Sequence, residues 1–371
     1  MKVQLSKLEI DTIVILFARF IGFLSYYLSI PILLNILGTA DYGFWIMLSS
    51  VLNWVYVFDF GIGLSLKNKV VEFSTNNNNK DLKEYISTSY YILGICLVIL
   101  MLILISLVYF GNIKQLFHIP NKIVPIFNMV LSIMIVSICI TLFLKLVLNI
   151  LHGLHKTALA ETINVLPQLI IIVSLLIYNY AGFFEDNFLA IVQIHTLTLP
   201  IIFALITIIL FKYKLAYIRP IFSKINQRYS REILVSASSF FLIQLSNIGI
   251  YSTDSYLISY FFNNESVAVY SVCYKYFNVL VFLMGVFMTP IWPIVTQKYI
   301  QGQVNEIKKI RLKLFKIWIL ILIVGVCLIF TSDYFYSILT NNKLFIPNYL
   351  TYIMFIYVSS ITLSMIHGLL L

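Results

Sequence analysis

Three basic side chains interrupt runs that are otherwise apolar, and their chemistry suits an anionic ligand. They are Arg19, Lys145 and Lys275. A guanidinium contacts a phosphate in a bidentate manner, whereas an ammonium acts as a point charge. Arg19 lies about eight residues, or roughly 12 Å, into its run, and Lys275 lies at a similar depth from the other side. Lys145 is near enough to the end of its run to reach water along its own side chain.

Two carboxylates stand near the ends of other apolar runs. Asp59 opens the segment 59–63 (Asp-Phe-Gly-Ile-Gly), where it could serve a turn or receive a cation, and Asp254 is within reach of Lys275. A buried ion pair between adjacent helices is the alternative for Asp254 and Lys275. Charges inside apolar runs are costly and usually line a cavity or a pathway, so both carboxylates are candidates for a functional role.

Uncharged polar residues also lie inside the apolar runs. They could join neighbouring helices by hydrogen bonds or bind a polar substrate, and the sequence leaves both alternatives open. Asn53 and Asn247 are the candidates for substrate contact. The others are Gln168, Gln193 and Gln244.

Signatures of catalysis and of metal binding are missing from the sequence. His152 and His155 are three residues apart, but no nearby carboxylate or cysteine completes a site, so we interpret them as interface histidines. The four cysteines each stand alone, which predicts packing roles. There is no glycine-rich phosphate loop, no Ser-His-Asp arrangement in a loop and no long extramembrane segment. The sequence therefore predicts no enzyme activity and no cofactor.

The elements that position these residues follow from composition. Of 371 residues, 61% are hydrophobic and only 11% are charged, with a mean hydropathy of +0.96; an ordinary soluble domain is about 45–50% apolar and about 25% charged. A helix needs about 20 apolar residues to cross a bilayer, so the sequence predicts an all-α, multi-pass membrane bundle. The apolar runs are 11–34, 41–64, 86–109, 124–149, 160–180, 188–211, 233–258, 267–297, 314–332 and 349–371.

The net charge of +10 is a topology signal. Most lysines and arginines fall in the N-terminus and in alternate loops, and cytoplasmic loops hold an excess of such residues. The N-terminus is therefore predicted to be cytoplasmic. The basic surface is expected to meet anionic lipid headgroups, and nucleic acid is not expected as a partner.

Two stretches of the chain share a plan that suggests an internal repeat. The outer turn at 37–45 and the turn at 263–270 each join two long apolar runs, and a constant offset of 225 aligns Trp45 with Tyr270. Transporters often contain such related halves. We expect a six-helix lobe at 1–211, a basic cytoplasmic loop at 212–232 and a second lobe, with four helices, at 233–371.

Several local patterns resemble the Wzx-type O-antigen flippases of the multidrug/oligosaccharidyl-lipid/polysaccharide exporter superfamily. Together they cover essentially the whole chain. The patterns are Arg19-Phe20-Ile21-Gly22 with Pro31, Leu37-Gly38 and Tyr42-Gly43-Phe44-Trp45; Asp59-Phe60-Gly61-Ile62-Gly63 with Lys67-Asn68-Lys69; Ser252-Thr253-Asp254-Ser255-Tyr256; and Val267-Ala268-Val269-Tyr270-Ser271 with Lys275.

The resemblance implies two six-helix lobes around a cavity that opens alternately to each side of the bacterial inner membrane. It implies transfer of an undecaprenyl-pyrophosphate-linked oligosaccharide, an O-antigen unit, from the cytoplasmic to the periplasmic leaflet. Five residues would contact the pyrophosphate or the sugar of this substrate, with Arg19 and Lys275 replacing the hydration of the pyrophosphate; the others are Lys145, Asn53 and Asn247.

The same resemblance implies antiport of protons or sodium, with Asp59 and Asp254 as the coupling carboxylates. A polysaccharide polymerase and a chain-length regulator would be partners. Family members commonly have twelve or more spans, so the second lobe is expected to be incomplete at Leu371.

Two alternatives stay open at this point. A cation-coupled small-molecule exporter of the same superfamily should have a cavity lined by carboxylates. A membrane polymerase or acyltransferase would need a large outer loop or a solvated acid–base cluster.

Overall fold

The computed structural model describes residues 7–76, 78–182, 187–251, 253–300 and 303–368. Within these ranges the chain is helical and contains no strand, which confirms the all-α prediction. The helices are α1 (Lys7–Asn53), α2 (Ile62–Thr75), α3 (Asn79–Phe110), α4 (Phe127–Gly153), α5 (Thr157–Ala181), α6 (Asn187–Ile209), α7 (Gln227–Tyr251), α8 (Asp254–Phe261), α9 (Asn264–Ile300), α10 (Val304–Thr340) and α11 (Asn348–Gly368).

Eight helices among the described residues are long and apolar enough to cross a membrane. Gly38 divides α1 into two helical arms. The first arm corresponds to the first predicted span, and the second arm, with Trp54–Asp59 and the start of α2, corresponds to the predicted span 41–64. Gly38 has φ 77°, a left-handed conformation that favours glycine, so the predicted outer turn is a single-residue kink. The predicted span 233–258 is divided between α7 and α8.

The distribution of apolar side chains fits a bilayer. Leu102 and Ile103 on α3, Ile177 on α5 and Ile208 on α6 are all more than half exposed, which in water would be unfavourable for such residues. In contrast, 61% of the most apolar 18-residue stretch of α4 is buried inside the protein, against 17% of the corresponding stretch of α3. The protein is therefore a multi-pass membrane protein whose α3 faces lipid and whose α4 lies inside its unit.

The chain forms two compact units, Met1–Asn264 and Glu265–Leu371. The first unit includes α7 and α8, because α7 packs against α2 and α3, and α8 packs against α1. This division differs from the expected lobe boundary at 212–232, which remains a prediction about the repeat.

Aromatic rings join helices in the core of each unit. The Phe44 ring lies between Phe127 and Phe188, with centroid distances of 6.3 and 5.7 Å, and joins α1 to α4 and α6. In the second unit, Tyr276 of α9 packs on Tyr336 of α10 at 5.2 Å. Its hydroxyl donates to the Leu328 carbonyl at 2.9 Å. Each unit thus joins its helices through rings with a large apolar area.

Candidate functional site

Contacts between helices of the first unit define which helix ends lie together. Arg19, Gly22 and Asn35 of α1 contact Glu161, Val165 and Asn179 of α5, respectively. The offset stays between 142 and 144 along the whole pair, so α1 and α5 run parallel. The α4–α6 pair is also parallel, because Ser137 bonds to Thr196 and Thr207 bonds to Leu144.

These registers place the basic residues of the first unit at one end. The beginnings of α1, α5 and α7 lie there together with the ends of α2, α4 and α6. Most lysines and arginines of the unit fall at this end, which we call the basic end. The other end of the same helices, near the Gly38 kink, is called the opposite end.

Arg19 takes part in a polar cluster at the basic end. Its Nη2 donates to Glu161 Oε1 at 3.1 Å, with the two side chains 38% and 18% exposed. The charges of Lys67, Glu161 and Arg19 all act on the His152 ring. We call these four residues the basic-end cluster. The Arg19–Glu161 ion pair is the contact within it, and Lys67 and His152 lie within electrostatic range of that pair; side-chain donors of these types suit an anion.

Close helix packing positions this cluster. A Cβ on Gly153 of α4 would lie 2.6 Å from Val70 Cβ and 2.8 Å from the Lys67 carbonyl oxygen of α2. Only glycine therefore lets the end of α4, which carries His152, approach the turn of α2 that carries Lys67. Arg19 is held at the same level because α5 begins at Thr157, one turn before Glu161.

The cluster changes the interpretation of Arg19. Its expected depth of about eight residues into a span was counted from residue 11. In the structure, Arg19 lies level with the first turns of α5 and near the last residue positions of α4. Its partner Glu161 was not identified from the sequence. An acidic residue at the start of the predicted span 160–180 can be recognised in the sequence. The packing of α1 against α5, which makes Glu161 the partner of Arg19, cannot.

Asp59 stabilises a break between α1 and α2. Trp54–Asp59 forms a short 3-10 helix, and Phe60 and Gly61 then have φ values of 54° and 73°. The Gly61 amide donates to Asp59 Oδ1 at 2.8 Å. The carboxylate thus sits at the N-terminus of α2, where negative charge is favourable. The structure shows the turn alternative for Asp59, and its role in coupling or gating stays a prediction.

The helices α2 and α7 form an antiparallel contact with two polar rungs. Lys69 Nζ lies 2.6 Å from Glu232 Oε1, and one turn away Ser65 Oγ is hydrogen-bonded to Ser236 Oγ. Each helix contributes residues four apart, which lie on one helix face. We call this contact the α2–α7 seam.

The seam continues beyond the polar rungs. Phe241 of α7 packs on Phe60 with a centroid distance of 5.6 Å, and Gln244 hydrogen-bonds the Asp59 carboxylate. Aromatic contact therefore follows the polar rungs in the direction of the opposite end. When polar side chains separate, hydrogen bonds to water replace those within the protein, at a small net cost in free energy. The polar part of the seam is therefore suited to opening.

Lys69 is held charged by its surroundings. Its hydrogen bond to Glu232, and a second to Glu72 at 2.8 Å, raise the pKa of Lys69 above its usual value. A cation with a raised pKa contributes its stabilisation fully below its normal pKa of about 10.4 and loses it only as the pH rises further. The Lys69 rung is therefore insensitive to pH in the physiological range.

The other predicted site residues are placed apart from this cluster. Lys145 Nζ lies 5.2 Å from the Phe203 ring centroid, between α4 and α6. Asp254 is in the first turn of α8. Asn53 lines a cavity between α1, α4 and α6. Asn247 lies on α7, but its side chain is outside the described residues.

Lys275 belongs to the second unit. It is 3% exposed and lies on α9, between the buried residues Cys273 and Tyr276. Its position, eleven residues after Asn264, corresponds to a depth of about 16 Å along α9. The expected pairing of Lys275 with Asp254 joins different units and remains a prediction. In the described ranges no three His, Cys, Asp or Glu side chains are grouped as metal ligands.

Comparison with known proteins gives consistent matches. A family model described as "Polysaccharide biosynthesis protein" matches residues 10–299. A putative O-antigen transporter of Salmonella typhi is 23% identical over 85% of this chain and 71% of its own length. A putative O-antigen transporter of Salmonella typhimurium strain LT2 is 24% identical over 76% of this chain and 63% of its own length.

Among solved structures, an inward-facing multidrug resistance MATE family transporter of the MOP superfamily aligns with a TM-score of 0.71. The alignment has 15% identity and covers 91% of this chain and 76% of that chain. At this identity the likeness concerns the fold alone. It confirms the MATE-like fold expected from the sequence motifs.

Proposed function

The chain belongs to the polysaccharide biosynthesis protein family, and on that basis we propose that it moves an undecaprenyl-pyrophosphate-linked oligosaccharide across the bacterial inner membrane. The cargo is an O-antigen unit that passes from the cytoplasmic to the periplasmic leaflet. The names of the two Salmonella relatives support transport of this class of substrate. Because those relatives are transporters by name, a carrier is favoured over an enzyme.

The basic-end cluster is the observation that carries this proposal. A pyrophosphate cannot leave water unless other groups replace its hydration. Arg19, Lys67 and His152 supply donors for this purpose, and Glu161 orients the Arg19 guanidinium. The planar guanidinium of Arg19 matches the geometry of phosphate oxygens. The basic end would then face the cytoplasm, in agreement with the positive-inside rule.

We also propose roles for the remaining candidate residues. Lys275, which is buried in the second unit, and Lys145 are proposed to contribute further positive charges for the pyrophosphate. Asn53 and Asn247 are proposed to contact the sugar. Asp254 remains the candidate for coupling to a proton or sodium ion, whereas Asp59, which stabilises the break before α2, is proposed to act in gating.

Alternating access needs a contact that opens on the cytoplasmic side, and we assign this role to the α2–α7 seam. Its two polar rungs lie at the basic end, next to the helix turn that carries Lys67. Opening exposes Lys69, Glu232, Ser65 and Ser236 to water, which hydrates all four. A polymerase and a chain-length regulator would act on the product.

The test is reconstitution of the purified chain in liposomes with a fluorescent undecaprenyl-pyrophosphate oligosaccharide in both leaflets. A membrane-impermeant quencher reports the fraction that becomes accessible with time. We expect faster exchange than in empty liposomes, and a loss of exchange in the Arg19→Gln/Lys67→Gln variant. Ethidium efflux without exchange of the lipid would instead identify a small-molecule exporter.

A further inference from the structure

A cavity of about 190 Å³ lies inside the first unit, between α1, α4 and α6. The polar part of its lining comprises Ser49 and Asn53 of α1, Ser137 of α4, and His195 and Thr196 of α6. Trp45 contributes an aromatic wall, and the remaining side chains are aliphatic. All of these residues belong to a single compact unit.

The depth of the cavity follows from the helix starts. The second arm of α1 begins after Gly38, α4 begins at Phe127 and α6 begins at Asn187, all at the opposite end. The lining residues lie six to fifteen positions after these starts, at depths of about 10–20 Å. The cavity therefore lies between the opposite end and the middle of the bundle, away from the basic-end cluster.

The lining rules out the charged parts of the cargo. Among the described residues, none that lines the cavity is an Asp, Glu, Lys or Arg, so no charged side chain in this lining balances a pyrophosphate or a metal cation. At the same time the Ser49 hydroxyl is buried without a hydrogen-bond partner among the described residues. A buried hydroxyl left in this state is destabilising, and a ligand with its own hydroxyl groups would satisfy it.

Other polar groups of the lining are already oriented. Ser137 Oγ donates to the Thr196 carbonyl at 2.6 Å, and His195 Nδ1 lies 3.0 Å from the Ile191 carbonyl. The His195 ring packs against Trp45 at 4.8 Å. The result is an aromatic wall facing a few fixed polar groups, which is the general form of a small-molecule site.

We propose that this cavity binds one uncharged pyranose ring of the saccharide, with Ser49 and Asn53 as hydrogen-bonding residues and Trp45 as the aromatic wall. The identity of this ligand as part of the transported saccharide rests on the proposed function. A cavity of about 150 Å³ is known to hold benzene, so a somewhat larger one accommodates a six-membered ring with small substituents. The C–H face of a pyranose suits the indole ring, and its hydroxyl edge suits Ser49 and Asn53.

The test measures binding of methyl β-glucoside and methyl N-acetyl-β-glucosaminide to the purified full chain by saturation-transfer NMR. A detergent without sugar, lauryldimethylamine oxide, avoids competition. We expect saturable binding with a Kd on the order of 1 mM for at least one glycoside. Ser49→Leu, which fills the cavity, should weaken binding at least tenfold.

Two further variants make the test specific. Ser132→Leu is the matched control, because Ser132 lies on α4, donates to the Asn128 carbonyl of its own helix and is not among the described residues that line the cavity. If Ser49→Leu does not fold, Ser49→Ala keeps the space and removes the hydroxyl, and it should still weaken binding severalfold.

The outcomes separate the site from the proposed function. Absence of saturable binding by either glycoside, or equal binding by the wild-type and Ser49 variants, would overturn the pyranose site. Glycoside binding that depends on Ser49 in a protein that fails to exchange lipid-linked oligosaccharide would support the site and overturn the proposed cargo.

Discussion

Arg19 is the residue for which the sequence and the structure together say most. Its residue type and its position inside an apolar run make it a candidate phosphate ligand. The structure adds the 3.1 Å contact to Glu161 and the nearby charges of Lys67 and His152. Arg19 could act only as the ion-pair partner of Glu161, or it could bind the phosphate of the substrate. The two roles predict different rates of lipid exchange when Glu161 is neutralised.

We expect Arg19→Gln to lower lipid-linked oligosaccharide exchange at least about tenfold, because a charge-assisted hydrogen bond contributes about 1.5–3 kcal/mol, or about 10- to 150-fold. Glu161→Gln should change exchange less than twofold, since the cation remains. The readout is the liposome exchange rate at matched protein levels. If Arg19 acts only as the partner of Glu161, the Arg19→Gln/Glu161→Gln variant will recover wild-type exchange.

Lys275 tests the contribution of the second unit. Lys275→Met keeps the length of the side chain and removes its charge, so we expect lower exchange without a large loss of expression. Lys343→Met is the control, because Lys343 is an exposed lysine of the same unit. Equal exchange by both variants would exclude Lys275 from the pathway.

The sequence could predict which residues carry charge inside apolar runs, but not which helices become neighbours. Hydropathy identifies Arg19 and Lys275 directly. Glu161 became important only through the parallel packing of α1 on α5, and long-range packing leaves no periodic signal in one sequence. Lys67 and His152 were visible as a basic loop residue and an interface histidine, and their convergence depends on the same packing.

At the level of helices, glycine decides how closely α2 and α4 approach. Gly153→Ala would place a methyl group against Val70 and the Lys67 backbone. We expect destabilisation by about 1–3 kcal/mol, as for other overpacked sites, measured from thermal unfolding in detergent. Gly285→Ala on α9 is the control, because no described atom lies within 4 Å of its added Cβ. It should be neutral or stabilise by up to about 1 kcal/mol.

The α2–α7 seam yields a second prediction at this scale. In a chain whose four native cysteines are replaced by alanine, Ser65→Cys and Ser236→Cys together should form a disulfide, because the two hydroxyls are in hydrogen-bond contact. Oxidation should stop oligosaccharide exchange and reduction should restore it. Each single variant treated with oxidant is the control. Continued exchange by the cross-linked protein would show that the seam does not need to open.

Hydropathy predicted helices well and helix interruptions poorly. Predicted runs such as 86–109 and 188–211 lie within or nearly within α3 and α6. The kink at Gly38 was expected as a longer turn, and α2 extends from Ile62 to Thr75 where the predicted second span ended at 64. α2 contains Lys67 and Lys69 and is less apolar than the spans. A search for apolar runs therefore does not detect this helix.

At the scale of the whole molecule, the question is which side of the membrane each helix end faces. The registers of the first unit fix which of its helix ends lie together, and the positive-inside rule predicts which side they face. We expect Lys224→Cys, at the basic end, to react with an impermeant maleimide only in inverted membrane vesicles. Asn112→Cys, which follows α3 at the opposite end, should react only in right-side-out vesicles. Both positions are exposed. The reversed pattern would invert the proposed direction of transport.

The parallel pairing of α1 with α5 has a consequence for biosynthesis. Arg19 and Glu161 are 142 residues apart, and at about 5–20 residues per second the ribosome completes Glu161 roughly 7–30 s after Arg19. During that interval α1 is in the membrane without α5. Because Arg19 lies near the basic end, its guanidinium can contact lipid headgroups until Glu161 is synthesised. A nascent chain stalled before α5 should therefore depend on anionic lipid to keep its first helix inserted.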